Sequence, residues 1–270
     1  MENLTFKSRT QAKKETGFSY LGKVNLSGKF IKNKKVNYYT YAIYLAPAST
    51  SGFNVCKYST PECRIGCLSS SGRAKIEEYV NRNIIKNARI KKTKLFHTNN
   101  KYFMDMLVAE LIAAQNKAKR DGFGFSVRLN GTSDIDWTKV YHNGKTVFEL
   151  FPDVQFYDYT KNPNMFGVTL PKNYQLTFSY SGRNLDATLK ILKMGYNVAV
   201  IFENENFPEF WHGYKVINGD LTDYRPFDEK NVIVGLKYKK LANKQINIDM
   251  INSCFVVVDM LNIPFKIKVD

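Results

Sequence analysis

From residue 125 onward the sequence keeps one rhythm: a short, nearly unbroken apolar run, a polar cluster, then a loop or a stretch with helical spacing. Residues 125–129 run into Asn130-Gly131-Thr132-Ser133-Asp134, residues 154–159 into Thr160-Lys161-Asn162-Pro163, and residues 174–178 into Ser179-Tyr180-Ser181-Gly182-Arg183-Asn184. Residues 185–194 read as a helix closed by Gly195, and residues 197–202, 232–236 and 254–258 as further strands. Short apolar runs without strict alternation are what strands buried on both faces look like. Interleaved with helices they predict an α/β protein with a parallel sheet, open or closed into a partial (β/α) TIM-like barrel. The polar clusters then fall at the C-terminal ends of the strands, the edge on which such folds build their sites.

Upstream, residues 37–46 are β-rich and stop at Pro47, as a strand does before a loop. Residues 72–95 carry Ile76, Tyr79, Val80, Ile84 and Ala88 on one helical stripe. Residues 100–120 repeat Phe103, Met106, Leu107, Leu111 and Ala114 at helical spacing and end at Asp121-Gly122. Residues 1–36 are polar and basic, broken by Gly17, Gly22 and Gly28, and are expected to form an N-terminal extension with one or two short strands. Residues 37–270 then make one barrel domain, with no internal repeat and no Pro/Gly/Ser linker. No apolar run reaches the roughly eighteen residues of a membrane span, and the N-terminus lacks a signal-peptide core. The expected setting is cytoplasmic and reducing, away from membranes.

In that setting the cysteines carry information. Cys56, Cys63 and Cys67 lie within twelve residues, and the fourth cysteine, Cys254, stands alone in an apolar stretch that reads as core. A disulfide would leave one loop cysteine over, and a reducing compartment does not favour it. Three thiolates in one loop suit a soft metal or an iron–sulfur cluster. Zinc is the alternative, although zinc knuckles normally space their cysteines more tightly and bring a second pair. Simple buried or reactive thiols are the third. His97, His142 and His212 are isolated, and neither H-E-x-x-H nor G-x-S-x-G occurs, so hydrolases of those types have no support. Gly144-Lys145-Thr146 lacks the glycine and the leading strand of a P-loop.

Strand, cysteine loop, helix, then strands with polar ends: over about residues 37–240 this order resembles the radical S-adenosylmethionine (SAM) superfamily. The resemblance implies a partial TIM barrel and a [4Fe–4S] cluster on Cys56, Cys63 and Cys67, its fourth iron open to the amino and carboxylate groups of SAM. The family loop is usually C-x3-C-x2-C with an aromatic residue before the last cysteine. Here it is C-x6-C-x3-C, with Gly66 in the aromatic's position. In more detail the chain is similar to a group of phage proteins with a cysteine-rich segment after an LPA-like stretch, an R-x-N-G-x-x-D strand end and a Y-T-K strand end. Leu45-Ala46-Pro47, Arg128 to Asp134 and Tyr159-Thr160-Lys161 carry that match. It implies phage origin, hence a host cytoplasm.

The same resemblance gives Asn130, Gly131 and Thr132 to the SAM amino group, and Ser179, Ser181, Arg183 and Asn184 to its ribose and carboxylate. Asp158 and Lys161, at the strand end between, are further cofactor-binding candidates, a lysine there suiting a carboxylate or phosphate. Read from the residues alone, Asn130-Gly131 is equally an ordinary turn with Ser133 or Asp134 as a helix cap, Lys161 a loop residue before Pro163, and Asn184 an N-cap. The acidic stretch of Asp220, Asp223 and Asp228 beside Arg225 reads as a divalent-metal site or, better, as a loop fixed by Asp–Arg pairs. Net charge is +16, from 40 basic and 24 acidic residues, which favours an anionic substrate, a nucleotide or nucleic acid. The leading expectation is an iron–sulfur enzyme that reductively cleaves SAM, drawing on an electron donor. A non-catalytic cluster or zinc protein that binds nucleic acid is the second reading, and a barrel with incidental cysteines the third.

Overall fold

A computed structural model describes residues 9–18, 20–25, 28–67, 83–241 and 243–258. Its strands are β1 (Gly22–Val24), β2 (Tyr38–Ile43), β3 (Gly124–Arg128), β4 (Tyr141–His142), β5 (Lys145–Thr146), β6 (Gln155–Thr160), β7 (Tyr174–Ser179), β8 (Val198–Phe202), β9 (Phe210–Trp211), β10 (Tyr214–Asn218) and β11 (Ile233–Lys237). All but the β4–β5 hairpin join one sheet in the order β1-β2-β3-β6-β7-β8-β11-β10-β9. From β2 to β10 every pairing is parallel, and β1 and β9 add antiparallel at the two ends. The protein is therefore a mixed α/β molecule built on a large, mostly parallel sheet. β2, β3, β6, β7 and β8 lie side by side in chain order; beyond β8 the order reverses, with β11 next to β8 and β10 and β9 further out.

Alternation along the strands separates two faces. Phe125 and Val127 of β3, Phe156 of β6, Leu176 and Phe178 of β7, and Val198 and Val200 of β8 all join the main core. That face is covered by α5 (Asn100–Arg120), which contributes Phe103, Met104, Leu107, Val108 and Leu111. Each such side chain, taken fully out of water, stabilises by about 1.5–3 kcal/mol. The helix begins where Asn99 accepts a hydrogen bond from the Tyr102 N–H, carries Lys117, Lys119 and Arg120 in its last turn, and is closed by Gly122 at φ +76°. α4 (Ile84–Thr98) packs beside it and α7 (Leu185–Lys193) covers the β7–β8 region.

The opposite face is polar near β2, β3 and β6. Asn33 donates to Thr40 and Tyr157, Thr40 shares a hydrogen bond with Ser126, and Arg128 pairs with Asp223 at 2.9 Å. The β10–β11 connection crosses this face. Asp223 accepts from Tyr157, its N–H donates to the Asn33 side chain, Tyr224 stacks on Tyr38, and Arg225 pairs with Asp228 at 3.0 Å. Of the two readings of that acidic stretch, the loop fixed by Asp–Arg pairs is the one realised.

Among the described residues of 9–36 there is one strand, β1, within the expected one or two, together with α1 (Arg9–Thr16) and α2 (Gly28–Lys32), and β1 extends the main sheet. The stripe residues Ile76, Tyr79 and Val80 lie outside the described residues, and the described helix starts at Ile84. Residues 254–258 do not form a ladder. α8 (Lys244–Asn252) ends in a turn, Cys254 takes φ +60° and is exposed, and Phe255 and Val256 insert beside Met250 and Tyr238. Cys254 is thus not a core residue, because its left-handed backbone turns its side chain out as its neighbours turn in.

Candidate metal and cofactor site

Chain direction fixes the site's position. β2 ends at Ile43, and the segment carrying Cys56, Cys63 and Cys67 leaves from that C-terminal edge. Val55 N–H returns to the Ala48 carbonyl at 3.1 Å, and the Ala48 N–H points at the Cys56 sulfur at 3.3 Å. Thr60 then caps α3 (Pro61–Ile65) by accepting from the Cys63 N–H, with Pro61 in the first turn where its missing N–H costs nothing. A short helix so begun holds Cys63 firmly and delivers Cys67 just past its end. Gly66 is closely covered there: an added Cβ would lie 2.5 Å from the Met250 methyl, 3.2 Å from the Glu62 carbonyl oxygen and 3.3 Å from the Phe255 ring, so the flexible Met250 side chain would have to move. Those two side chains fill the space that an aromatic residue before the last cysteine would need.

The next strand ends close over this loop. Asp134 N–H donates to the Val55 carbonyl at 2.8 Å, and the Cys56 sulfur lies 3.9 Å from the Thr132 carbonyl oxygen. Thr160 and the Lys161 N–H hold the Asp134 carboxylate at 2.6 and 2.9 Å. The half-buried Lys161 side chain lies against Cys63, within range of Cys67 and Asp134. Desolvation pulls its ammonium down, and the hydrogen bond and charges of Cys63, Asp134 and Cys67 outweigh it, so its pKa sits above the ordinary lysine value. Burial pushes the Cys56 thiol up to about 11, with Asp134, Cys67 and Cys63 adding to the rise and the Ala48 N–H opposing it. Cys56 is thus within electrostatic range of the other two loop cysteines, and Lys161 of Cys63 and Cys67. None of the four cysteines is in a disulfide.

A [4Fe–4S] cluster fits this donor set chemically: three thiols, a soft and electron-rich set, share one site with a lysine that offsets thiolate charge. Among the described residues, no three His, Cys, Asp or Glu side chains are already arranged to hold a single metal ion. Cys56, Cys63 and Cys67 are the residues that would hold a cluster.

The cofactor-binding candidates divide. Lys161 meets the cysteines directly. Thr132 meets them through its carbonyl, while its hydroxyl is spent on the Leu45 carbonyl at 2.5 Å. Gly131 is pressed on the end of β2, its N–H on the Ile43 carbonyl at 3.0 Å. Arg183 turns to Glu62, next to Cys63, with Nε at 2.8 Å from the carboxylate. Asn130 and Asp158 are not turned to the cysteines. The Asn130 side chain accepts from Ser133, the Ile135 N–H and the Trp137 indole, and donates to the Ile135 carbonyl. Asp158 lies inside, accepting from the Asn130 N–H at 2.8 Å and the Tyr174 hydroxyl at 3.3 Å, and burial lifts its pKa to about 7. Asn184 bridges the Ser179 carbonyl and the Ser181 N–H, which closes the turn into α7. The Ser181 hydroxyl is buried without a protein partner.

Two site residues escape a reading of the sequence. Glu62 is invisible as a single carboxylate between two cysteines, and Asp134 stands out as the end of the R-x-N-G-x-x-D match and as a possible helix cap, but not as a partner of the cysteine loop. Both are fixed by partners distant in the chain, Arg183 and Thr160.

A large parallel sheet with a cysteine-bearing loop over its C-terminal edge defines the class to which the chain can be compared. The chain belongs to the Gene product 88 family, whose model matches residues 4–254. That match fits a phage protein. No curated protein and no solved structure matches the chain. Among the described residues no helix is long and apolar enough to cross a membrane.

Proposed function

We propose that this chain is an iron–sulfur protein that holds a [4Fe–4S] cluster through Cys56, Cys63 and Cys67 and works as radical SAM enzymes do, on a nucleotide or nucleic-acid-related substrate. The observation that supports this reading is that one loop supplies Cys56, Cys63 and Cys67, with the half-buried Lys161 within electrostatic range of Cys63 and Cys67. Curvature of the sheet toward a partial barrel is part of the same reading. The in-order run from β2 to β8 supports it, as do the contacts that tie the β10–β11 connection back to β2, β3 and β6. When bound, such a cluster supplies an electron for reductive cleavage of SAM, and the cofactor carries that chemistry.

The chain's own residues have definite tasks in this reading. Lys161 balances thiolate charge and holds Cys63. Asp134, tied to Thr160 and Lys161, locks the β3 loop over Cys56. Glu62 and Arg183 join α3 to the β7 end. The buried Ser181 hydroxyl stands at the same edge with hydrogen-bonding capacity to spare. An external electron donor completes the requirement.

Anaerobic reconstitution, reduction in the presence of SAM, and a search for 5′-deoxyadenosine test the activity. Its formation by the wild type and its absence in Cys63→Ala support the proposal. A loaded cluster that never yields it moves the protein to the second reading, a non-catalytic cluster protein that binds nucleic acid, for which the net charge of +16 is the supporting observation.

A further inference from the structure

α4 is an unusually one-sided element. Its fifteen residues include Lys86, Arg89, Lys91, Lys92 and Lys94 and no acidic residue. Lys86, Lys91 and Lys94 are exposed, while Thr93 and Phe96 face inward. Beside the helix lie two aromatic rings with cations over them. Lys23 sits 3.8 Å and Lys92 5.0 Å from the Tyr20 ring centroid, and Arg89 lies 5.3 Å from that of Tyr44. The cations crowd one another: burial first, then the charges of Arg89 and Lys23, bring the Lys92 ammonium down to about 8 against the opposing pull of Glu110. Glu110 is engaged elsewhere, accepting from the Leu21 and Gly22 N–H groups and the Tyr41 hydroxyl.

This basic face is joined to the cysteine loop at two points. The Thr93 hydroxyl accepts from the Ala46 N–H at 2.8 Å, and His97 stacks on Phe53 at 4.4 Å. Tyr44 also packs on the β3 end, since a Cβ on Gly131 would lie 2.9 Å from its ring.

We propose that α4, with Tyr20, Lys23 and Tyr44, is a binding face for single-stranded nucleic acid that leads the strand to the cysteine loop. The proposal deepens the reading of the substrate as nucleic-acid-related, but the face stands on its own residues and needs no cluster. A fifteen-residue helix is about 22 Å long, and at about 3.4 Å per phosphate it spans several phosphates of one strand. Lysines track the backbone, and aromatic rings among them offer stacking surfaces to bases. A purely electrostatic lipid-binding face has no use for such rings.

The test is fluorescence anisotropy of a labelled twelve-nucleotide oligothymidylate with the full-length protein, over a series of salt concentrations, before and after cluster loading. The triple variant Lys86→Ala, Lys91→Ala, Lys94→Ala is expected to bind at least about tenfold more weakly. Its salt dependence should be shallower by about two, as loss of three single-strand phosphate contacts requires. The charge-conserving variant with arginine at the same three positions should bind as the wild type does. Lys190→Ala, Lys193→Ala on α7 should leave binding unchanged. Iron content should be equal in all of these, so a chain that binds the strand but loads no cluster sinks the cluster reading and leaves this one standing. Wild-type affinity in the triple alanine variant overturns the proposal. So does equal or tighter binding to phosphatidylglycerol vesicles, or to a duplex of the same length.

Discussion

Gly131 has no room for a side chain: an added Cβ would lie 2.5 Å from the Ile43 carbonyl oxygen, a backbone atom that cannot swing away. Gly131→Ala should therefore cost about 1–3 kcal/mol, the range for an overpacked site, read as a lower urea midpoint with an unchanged slope. Asp158 offers a test by pH. Its folded-state pKa, about 7, lies above the ordinary carboxylate value of about 3.9, so between those values the native state holds a proton that the unfolded chain has released. Its contribution to stability is thus fully present below about pH 4 and is lost as the pH rises toward 7, a slope on the order of a few kcal/mol across the window. In Asp158→Asn, which can still accept from the Asn130 N–H and donate to Tyr174, that slope should disappear from urea titrations at pH 5 to about 8. A slope unchanged from the wild type would show that Asp158 is ionised throughout. Residues such as these are half-legible in a sequence. Asn-Gly announces a turn, but the pressure of Tyr44 and Ile43 on Gly131 comes from a strand some ninety positions earlier.

Among the elements, the five-residue α3 is sensitive to a single change. It carries Cys63 and is tied down through Glu62, whose carboxyl the Arg183 hydrogen bond holds below its usual range. One oxygen of Glu62 is already buried without a partner, so removing Arg183 takes away the carboxylate's main support. Arg183→Ala is expected to speed loss of iron to an external chelator several-fold, while Arg183→Lys keeps most of the protection. Equal rates in all three proteins would detach Arg183 from the cysteine loop. The elements also show what made the fold readable. β8 and β11 are buried on both faces and spell nearly continuous apolar runs, β3, β6 and β7 keep enough apolar residues around Ser126, Asp158 and Thr177 to read as strands, and α5 spells its stripe over twenty-one residues. β9 and β10 lie at the end of the sheet with half-exposed, mixed residues such as Lys215, and nothing in their pattern marks them as strands. The run at 254–258 shows the opposite failure. Its residues are apolar enough for a strand, but the left-handed turn at Cys254 feeds them into a side cluster instead.

Across the whole molecule, the polar face is held by pairs that no local pattern reveals. Arg128 and Asp223 are ninety-five residues apart, and the guanidinium is packed against Tyr159 as well, 4.7 Å from its ring centroid. Breaking a buried pair by removing one partner typically costs about 3–5 kcal/mol, and Asp223→Ala is expected in that range in chemical denaturation. A loss within experimental error would mean that the β10–β11 connection does not anchor the sheet. The C-terminal edge of the sheet carries the three-cysteine loop and the half-buried Lys161, with the basic α4 beside that loop. That the triplet, and not any other part of the chain, holds a metal cluster is decided most directly by iron and acid-labile sulfide per chain after anaerobic reconstitution. Wild type and Cys254→Ala are expected to hold about four of each, with Cys56→Ala, Cys63→Ala and Cys67→Ala holding little. Iron retained undiminished in all three loop variants, or a wild type that takes up none, would contradict the account.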